Sequence, residues 1–552
     1  MIAGTMIQLM FAAVVGANIL AMSLMNFFEM PTQHLPVIYS TCMLAIGALM
    51  ARKVPQLPQL TKREHLFCIG FTILIFLPRF PVLIENVLGF SVNVVGDDVS
   101  HLQMMSSIAH SPAFPPRSTF DSSKYLGYYY APWMLGAAFY RAGFVSTVKQ
   151  ALALSVLVYS LFFSYGVTYA SKVLFKEARL QTILLVVCVM YGGFDFFYWL
   201  SGLTFIPSHS EWWAGEFGIY LEYSNFFTLV LWVQQHTLAA LAILYAMFLT
   251  DRSSSISTAV LTGIFVLSAF FSSVFVFIGA IPIVAWWCFS RAKFPQNSVV
   301  TELTFLLFSI PLWWIYLGKY DGSGIRLFGA LEPFWATRKR AAFLVFLLVL
   351  SLELMPLLAA SYLTIVRERI ASRYVLFALC TLFLLSTFMI EFGQGANYPM
   401  RGSIIPIFTL SYLATPTISE WFRDVRSTAL RLLIAGYLLG GVSEYASFCR
   451  YSLIALADSK TEFNTTILQF NQGASQLSSA DLGVRLEHMN VKCAPDAYCW
   501  DGTYFWYLIE RDSPPKLNID EGDMLTMGSD NKYRVTVSSI GRLYARWAGP
   551  SS

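Results

Sequence analysis

Long apolar runs separated by short polar stretches fill residues 1–449 of this chain. Several of these runs approach the roughly 20 residues that a helix needs to cross about 30 Å of hydrocarbon. Charged residues make up only 13% of the 552 residues, against about 25% in an average soluble protein. The sequence therefore predicts a mainly α-helical, polytopic membrane protein.

The apolar runs predict a bundle of about thirteen membrane-spanning helices. The run over 257–290 is too long for one helix, and Ser272-Ser273 is the predicted turn inside it. After residue 449 the chain turns polar, and the alternating stretch 533–547 predicts a small α/β or β domain over 450–552. The predicted spans are 5–28, 36–51, 66–90, 149–171, 181–200, 224–249, 257–271, 274–290, 299–318, 341–365, 373–391, 403–418 and 431–449.

The distribution of Lys and Arg predicts the orientation of this bundle, because cytoplasmic loops carry the excess of positive charge. With the N-terminus inside, the loops 91–148 and 201–223 and the tail 450–552 face the extracytoplasmic side. The tyrosine-rich segment 126–145 is predicted to lie at the outer interface. If it crosses instead, every later loop changes side. The net charge of +4 is too small to indicate a nucleic-acid partner.

Two cysteines stand apart from the apolar runs. Cys493 and Cys499 lie in the polar tail, in the stretch CAPDAYC. A disulfide is favoured over a metal site, because metal sites use closer spacings and more ligands. Such a disulfide places the tail in an oxidising compartment.

Paired carboxylates follow the 66–90 span in the stretch GDDVSHL. Asp97 and Asp98 are predicted to lie at the boundary between membrane and water, where partial desolvation shifts a carboxylate towards basicity. They are the candidate catalytic residues, with His101 beside them as a substrate-binding candidate. The alternative is that the acidic pair caps a helix beginning near Val99.

The outer loops add aromatic, histidine and carboxylate side chains, a common composition of carbohydrate sites. Tyr128 and Tyr129 belong to the stretch YYYAP, and their alternative role is to anchor the chain at the membrane interface. His209 and Glu211 lie among tryptophans in the 201–223 loop. These four residues are candidate substrate ligands.

Polar residues within apolar runs form a third group. Asp195 in YGGFDFFYWLSG is a candidate catalytic residue, because a carboxylate within the membrane costs free energy and usually marks a functional site. The alternative is that the span is shorter than 181–200. His236 in WVQQH is predicted two to three turns into its helix, either in a site or as a satisfied core histidine. Arg326 and Arg401 are predicted to face outward and to bind an anionic phosphate, with ordinary lipid headgroups as the alternative. No spacing indicates zinc.

The layout resembles the glycosyltransferases of the GT-C fold, integral membrane enzymes that use polyprenyl-phosphate-linked sugars. The resemblance covers about residues 66–420 and is carried by one motif, GDD followed by HL, FPP and YYY. Two helices precede the DD-bearing unit where many members have one, and the WWDxG motif of oligosaccharyltransferases is absent from the tail. In the family, an acid of the first outer loop activates the acceptor, which corresponds to Asp97 or Asp98. Asp195 matches the second-loop acid by position.

The resemblance implies an inverting glycosyltransferase that moves a sugar from a polyprenyl-phosphate donor to an extracytoplasmic glycan or lipid acceptor. Its donor phosphate would be held by Arg326 or Arg401. It implies a bacterial inner membrane, with the active site facing the periplasm or exterior. No cofactor is assigned, and the need for a divalent metal stays open. The rival interpretation is a transporter or a flippase of lipid-linked glycans, which would favour repeated halves and charges in the middle of the membrane.

Overall fold

The structure, a computed structural model, describes most of the helical part of the chain. The described residues are 2–51, 58–88, 98–116, 126, 130–192, 223–224, 226–252, 256–290, 341–389, 398–424, 428–442, 445–446, 448–449, 452, 524–527 and 533–536. In chain order the helices are α1 Ile2–Phe27, α2 Leu35–Ala51, α3 Lys62–Phe76, α4 Phe80–Leu83, α5 Glu85–Leu88, α6 Asp98–His110, α7 Met134–Arg141, α8 Val148–Leu174, α9 Ala178–Met190, α10 Phe226–Trp232, α11 Gln234–Arg252, α12 Ile256–Ser272, α13 Val274–Ser290, α14 Ala341–Glu368, α15 Ala371–Met389, α16 Ile404–Asp424 and α17 Thr428–Leu438.

Five stretches of helix within the described residues are long and apolar enough to cross a membrane. The predicted mainly helical, membrane-spanning character is thereby supported. Shorter apolar helices accompany them, among them α9, α12 and α13. The number of crossings and their orientation stay predictions. The five stretches are Met6–Phe27, Thr32–Ala51, Lys62–Leu83, Val148–Leu174 and Leu350–Glu368.

Local sequence sets where the helices begin and end. Thr61 starts α3 with a capping box, in which Glu64 N–H donates to Thr61 Oγ1 at 3.3 Å and Thr61 N–H donates to Glu64 Oε2 at 2.5 Å. The 66–90 run is not one continuous helix, because α3 ends before a 3₁₀ turn at Leu77–Arg79 that contains Pro78. The predicted turn near Ser273 is confirmed by the end of α12 at Ser272 and the start of α13 at Val274.

Within the segment 126–145, Leu126 and residues 130–138 pack into the protein, whereas residues 141–144 are exposed. Ala131–Trp133 forms a 3₁₀ turn that continues into α7. Together they extend about 16 Å at about 1.5 Å per residue, half of what a crossing needs. Tyr130 and Trp133 are buried, and Tyr159 on α8 donates to the Pro132 carbonyl oxygen. This segment forms one wall beside α6.

The core lies where α1, α8, α11 and α12 meet. Phe11 on α1 contacts Tyr245 on α11, with ring centroids 4.6 Å apart, and Phe162 on α8 at 5.4 Å. Helices α9 and α14 pack against α16 on another side. The arrangement brings the start of α6 and the start of α11 into the interior.

Beyond residue 452, the tail is described only as two strands. Met524–Met527 pairs antiparallel with Tyr533–Thr536, so that Met524 lies opposite Thr536. Strands were predicted in this region, but a folded domain over 450–552 stays a prediction. Cys493, Cys499 and the span 299–318 lie outside the described residues.

Candidate functional site

The structure describes four of the predicted site residues. Asp98, His101, His236 and Arg401 all lie in or beside one region of the bundle. The others lie outside the described residues; they are Asp97, Asp195, Tyr128, Tyr129, His209, Glu211 and Arg326.

Asp98 is the first residue of α6 and is 3% exposed. Arg79, in the 3₁₀ turn after α3, donates two hydrogen bonds to the Asp98 carboxylate. Arg79 Nε donates to Asp98 Oδ2 at 2.6 Å, and Nη2 donates to Oδ1 at 3.1 Å. Burial by itself would raise the pKa of the Asp98 carboxyl. The charge of Arg79 and the hydrogen bonds from His101 and Arg79 nevertheless hold this pKa below its usual value.

This ion pair corrects one expectation and supports another. The sequence predicted a raised pKa for the carboxyl groups of the acidic pair. At Asp98 the guanidinium of Arg79 instead lowers the carboxyl pKa. The alternative role at a helix start fits Asp98, which lies in the first turn of α6. Asp98 is therefore suited to hold other groups in place and poorly suited to accept a proton.

Arg79 was missed by the sequence analysis. It is 4% exposed, and Nη2 also donates to the carbonyl oxygen of Leu231 at the end of α10. Its guanidinium carbon lies 4.4 Å from the centre of the Phe448 ring. The signal was present in the sequence, because Arg79 is a charged residue within the apolar run 66–90, the criterion that selected Asp195.

His101 connects the ion pair to an aromatic wall. Its Nδ1 lies 3.4 Å from Asp98 Oδ1 and donates to it. The indole of Trp133 stacks on the imidazole, with centroids 4.3 Å apart and an interplanar angle of 29°. The carboxylate and the indole together fix the His101 ring. Both rings are buried.

The stretch WVQQH lies at a helix start, not two to three turns into a helix. The helix is interrupted at Val233: α10 ends at Trp232, and α11 begins at Gln234. Gln234 Nε2 donates to the Leu231 carbonyl oxygen at 3.1 Å, the oxygen that Arg79 also binds. His236 is fully buried, and its Nδ1 lies 2.6 Å from Ser273 Oγ in the turn between α12 and α13.

Arg401 lies in a π-helical turn, Tyr398–Gly402, that precedes α16. The turn packs closely on α13, where a Cβ at Gly279 would collide with the Gly402 carbonyl oxygen. Both Arg401 and His101 interact electrostatically with His236. The fold therefore places the Arg401 cation within electrostatic range of His236.

These contacts define what is called below the buried polar cluster. It joins residues from the turn after α3, from α6, from the 131–133 turn and from the start of α11. Among the described residues no group of three or more His, Cys, Asp or Glu side chains could hold a metal. The members of the cluster are Arg79, Asp98, His101, Trp133, Gln234 and His236.

The cluster offers hydrogen-bond donors and acceptors, aromatic surface and a neighbouring cation in a site shielded from water. Such a set can bind an anionic, hydroxyl-bearing ligand and orient it. No protein-family model matches the chain, and a search of the curated proteins finds no match. The functional assignment therefore depends on the residues themselves.

Proposed function

We propose that this protein is a GT-C-type glycosyltransferase that transfers a sugar from a polyprenyl-phosphate donor to an extracytoplasmic glycan or lipid acceptor. The observation that carries the proposal is the buried Arg79–Asp98–His101 arrangement at the DD motif, with Arg401 in electrostatic reach of its neighbour His236. Buried charges in a membrane bundle are costly and mark functional sites. In this proposal the enzyme lies in a bacterial inner membrane, and its site faces the periplasm or exterior.

In this mechanism the two acids of the DD motif have different roles. The carboxylate of Asp98 is engaged by Arg79, so it positions the start of α6 and the imidazole of His101. Asp97 is then the general base. The acceptor hydroxyl oxygen attacks the anomeric carbon while its proton passes to the Asp97 carboxylate.

The bond between the anomeric carbon and the phosphate oxygen breaks in the same step. The electron pair stays on the oxygen, and polyprenyl phosphate leaves as an anion that needs a cation more than an acid. Arg401 supplies that charge in the proposal, with Arg326 as a second ligand. One direct displacement inverts the anomeric centre. Asp195, Tyr128, Tyr129, His209 and Glu211 complete the substrate contacts in this proposal.

One observation favours the rival function of a transporter or flippase. Glu353 is 5% exposed within the apolar span of α14. A buried carboxylate within an apolar helix is typical of an ion or substrate pathway. Tyr223 and Tyr437 interact electrostatically with it.

A transfer assay separates the two functions. The purified protein in lipid nanodiscs is given labelled farnesyl-phosphoryl hexoses and pentoses together with an extract of membrane glycans. The glycosyltransferase releases farnesyl phosphate and labels the acceptor, whereas a flippase leaves the donor intact. Failure of every donor to release farnesyl phosphate would reject the enzyme.

Two substitutions test the roles of the acids. Asp97→Asn removes a base while keeping its shape, so turnover should fall by about 100-fold or more. Asp98→Asn should weaken folding as well as turnover, because it leaves Arg79 unpaired. Asp424→Asn, at an exposed carboxylate paired with Arg423, is the matched control and should leave turnover unchanged. Normal turnover in Asp97→Asn would exclude that residue as the base.

A further inference from the structure

Several buried polar atoms around the cluster have no hydrogen-bond partner among the described residues. Two are donors, Arg79 Nη1 and Trp133 Nε1, and two are acceptors, Gln234 Oε1 and Gln235 Oε1. All four side chains are at most 4% exposed. A buried polar atom without a hydrogen bond lowers the free energy of unfolding by about 1–3 kcal/mol. A group of such atoms therefore indicates a bound molecule that supplies the hydrogen bonds.

Hydrogen bonds and one ring contact link three of these side chains. Arg79 and Gln234 donate to the same Leu231 carbonyl oxygen. Arg79 is joined to Trp133 through Asp98 and His101. Gln235 follows Gln234 in the first turn of α11. The four atoms therefore belong to one neighbourhood.

The type of these atoms restricts the chemistry of the partner. An ammonium group only donates hydrogen bonds, and a carboxylate only accepts them, whereas a hydroxyl does both. The charge of Arg79 is already balanced by Asp98. Orphaned donors and acceptors on linked side chains, beside an Arg79–Asp98 pair whose charges balance, are complementary to a neutral ring bearing several hydroxyl groups.

We propose that this neighbourhood binds the sugar of the donor and selects a neutral polyhydroxylated ring over an amino sugar or a uronic acid. The inference rests on the proposed function and adds its substrate class. Trp133 Nε1 and Arg79 Nη1 donate to sugar oxygens, and the two glutamine oxygens accept from sugar hydroxyls. An ammonium would face the guanidinium of Arg79, and a carboxylate would face the oxygens of Gln234 and Gln235.

Binding of four probe lipids to the purified protein tests the proposal. The probes are farnesyl phosphate and its glucosyl, glucosaminyl and glucuronyl phosphodiesters. The glucosyl lipid should bind more tightly than farnesyl phosphate and more tightly than either charged-sugar lipid. Equal or tighter binding of a charged-sugar lipid would overturn the inference while leaving the transferase intact. If none of the four binds, the proposed function fails as well.

Two variants locate the sugar. Trp133→Phe keeps a ring against His101 and removes one donor, and Gln234→Met removes one acceptor. Each should weaken binding of the glucosyl lipid about 3- to 10-fold, the effect of one hydrogen bond between uncharged groups, and leave farnesyl phosphate unaffected. Thermal unfolding of each variant verifies folding, and either variant alone suffices for the test.

Tyr245→Phe is the matched control. Its hydroxyl is another buried orphan on α11, but it lies about 16 Å further along the helix axis at about 1.5 Å per residue. Removing it should not change binding of the glucosyl lipid. Unchanged binding in Trp133→Phe and Gln234→Met would show that ordered water alone satisfies these atoms, and would overturn the inference. An equal loss in all three variants would do the same.

Discussion

The Arg79–Asp98 ion pair should be among the most sensitive points of the fold. Each side chain is at most 5% exposed, and two hydrogen bonds of 2.6 Å and 3.1 Å join them. Removing one partner leaves a buried charge without compensation, which typically costs about 3–5 kcal/mol. We therefore expect Arg79→Met and Asp98→Asn each to lower the free energy of unfolding by about that amount.

The double variant should lose much less than the sum of the two single variants. Neither buried charge remains in it, and its expected loss is about 1–3 kcal/mol, the cost of leaving the buried amide of Asp98→Asn without its partner. The single losses sum to at least about 6 kcal/mol, so the coupling energy should be about 3 kcal/mol or more, at or above the upper end of the usual range for contacting residues. Reversible unfolding in mixed detergent micelles at pH 7 measures all four proteins.

The choice of pH follows from the direction of the Asp98 pKa shift. The folded-state pKa lies below the ordinary value of about 3.9. The contribution of the carboxylate to stability is therefore complete above that ordinary value and is lost as the pH falls through the folded-state pKa. At pH 7 the pair is intact.

An exposed ion pair provides the control for this experiment. Arg367 and Glu420 are paired, but their side chains are 47% and 41% exposed. Glu420→Gln should cost no more than about 1 kcal/mol because water screens the charges. If Asp98→Asn and Arg79→Met cost no more than this control, the buried-pair argument is wrong.

Three further predictions concern the topology, the tail and the C-terminal end of α6. Impermeant reagents should label cysteines introduced into all three outer regions of intact cells, and protection of one while another reacts would refute the arrangement; the positions are Ser122, Ser210 and Ser478. Cys493 and Cys499 should resist alkylation until reduced, and free thiols in unreduced protein would reject the disulfide. Burial and the charge of Arg141 lower the pKa of His110 to about 4. The neutral His110 imidazole should therefore contribute fully to the free energy of unfolding above about pH 6.5, and this contribution should be lost as the pH falls towards 4. His110→Gln should flatten this dependence in thermal unfolding; an unchanged slope would contradict it.

The helical class and several site residues could be predicted because they depend on local sequence. Apolar length predicted membrane-spanning helices, and Ser272-Ser273 predicted the turn before α13. The motif around Asp98 and His101 stood out because charged and polar residues follow an apolar run. These features need no knowledge of distant contacts.

The remaining features depend on contacts between distant parts of the chain. Asp98 was expected to be basic because the sequence does not show that Arg79 reaches it. The break at Val233 has no proline or glycine to signal it, and it depends on side chains that bind the freed Leu231 carbonyl oxygen. Trp133 belongs to a stretch whose aromatic residues suit an interface equally well. Only the packing of α6 against the 131–133 turn shows that Trp133 lies in the protein interior and not at a membrane interface.

Mass spectrometry of the lipid that copurifies with the protein is the decisive test of the proposed glycosyltransferase. A polyprenyl phosphate, with or without its sugar, should be retained, and the retained amount should fall in Arg401→Ala because that variant loses a phosphate ligand. The masses of the retained lipids should be spaced by isoprene units and, for the donor, include an additional neutral sugar. Recovery of bulk phospholipid alone, with added farnesyl-phosphoryl sugars failing to displace it, would contradict the proposed glycosyltransferase.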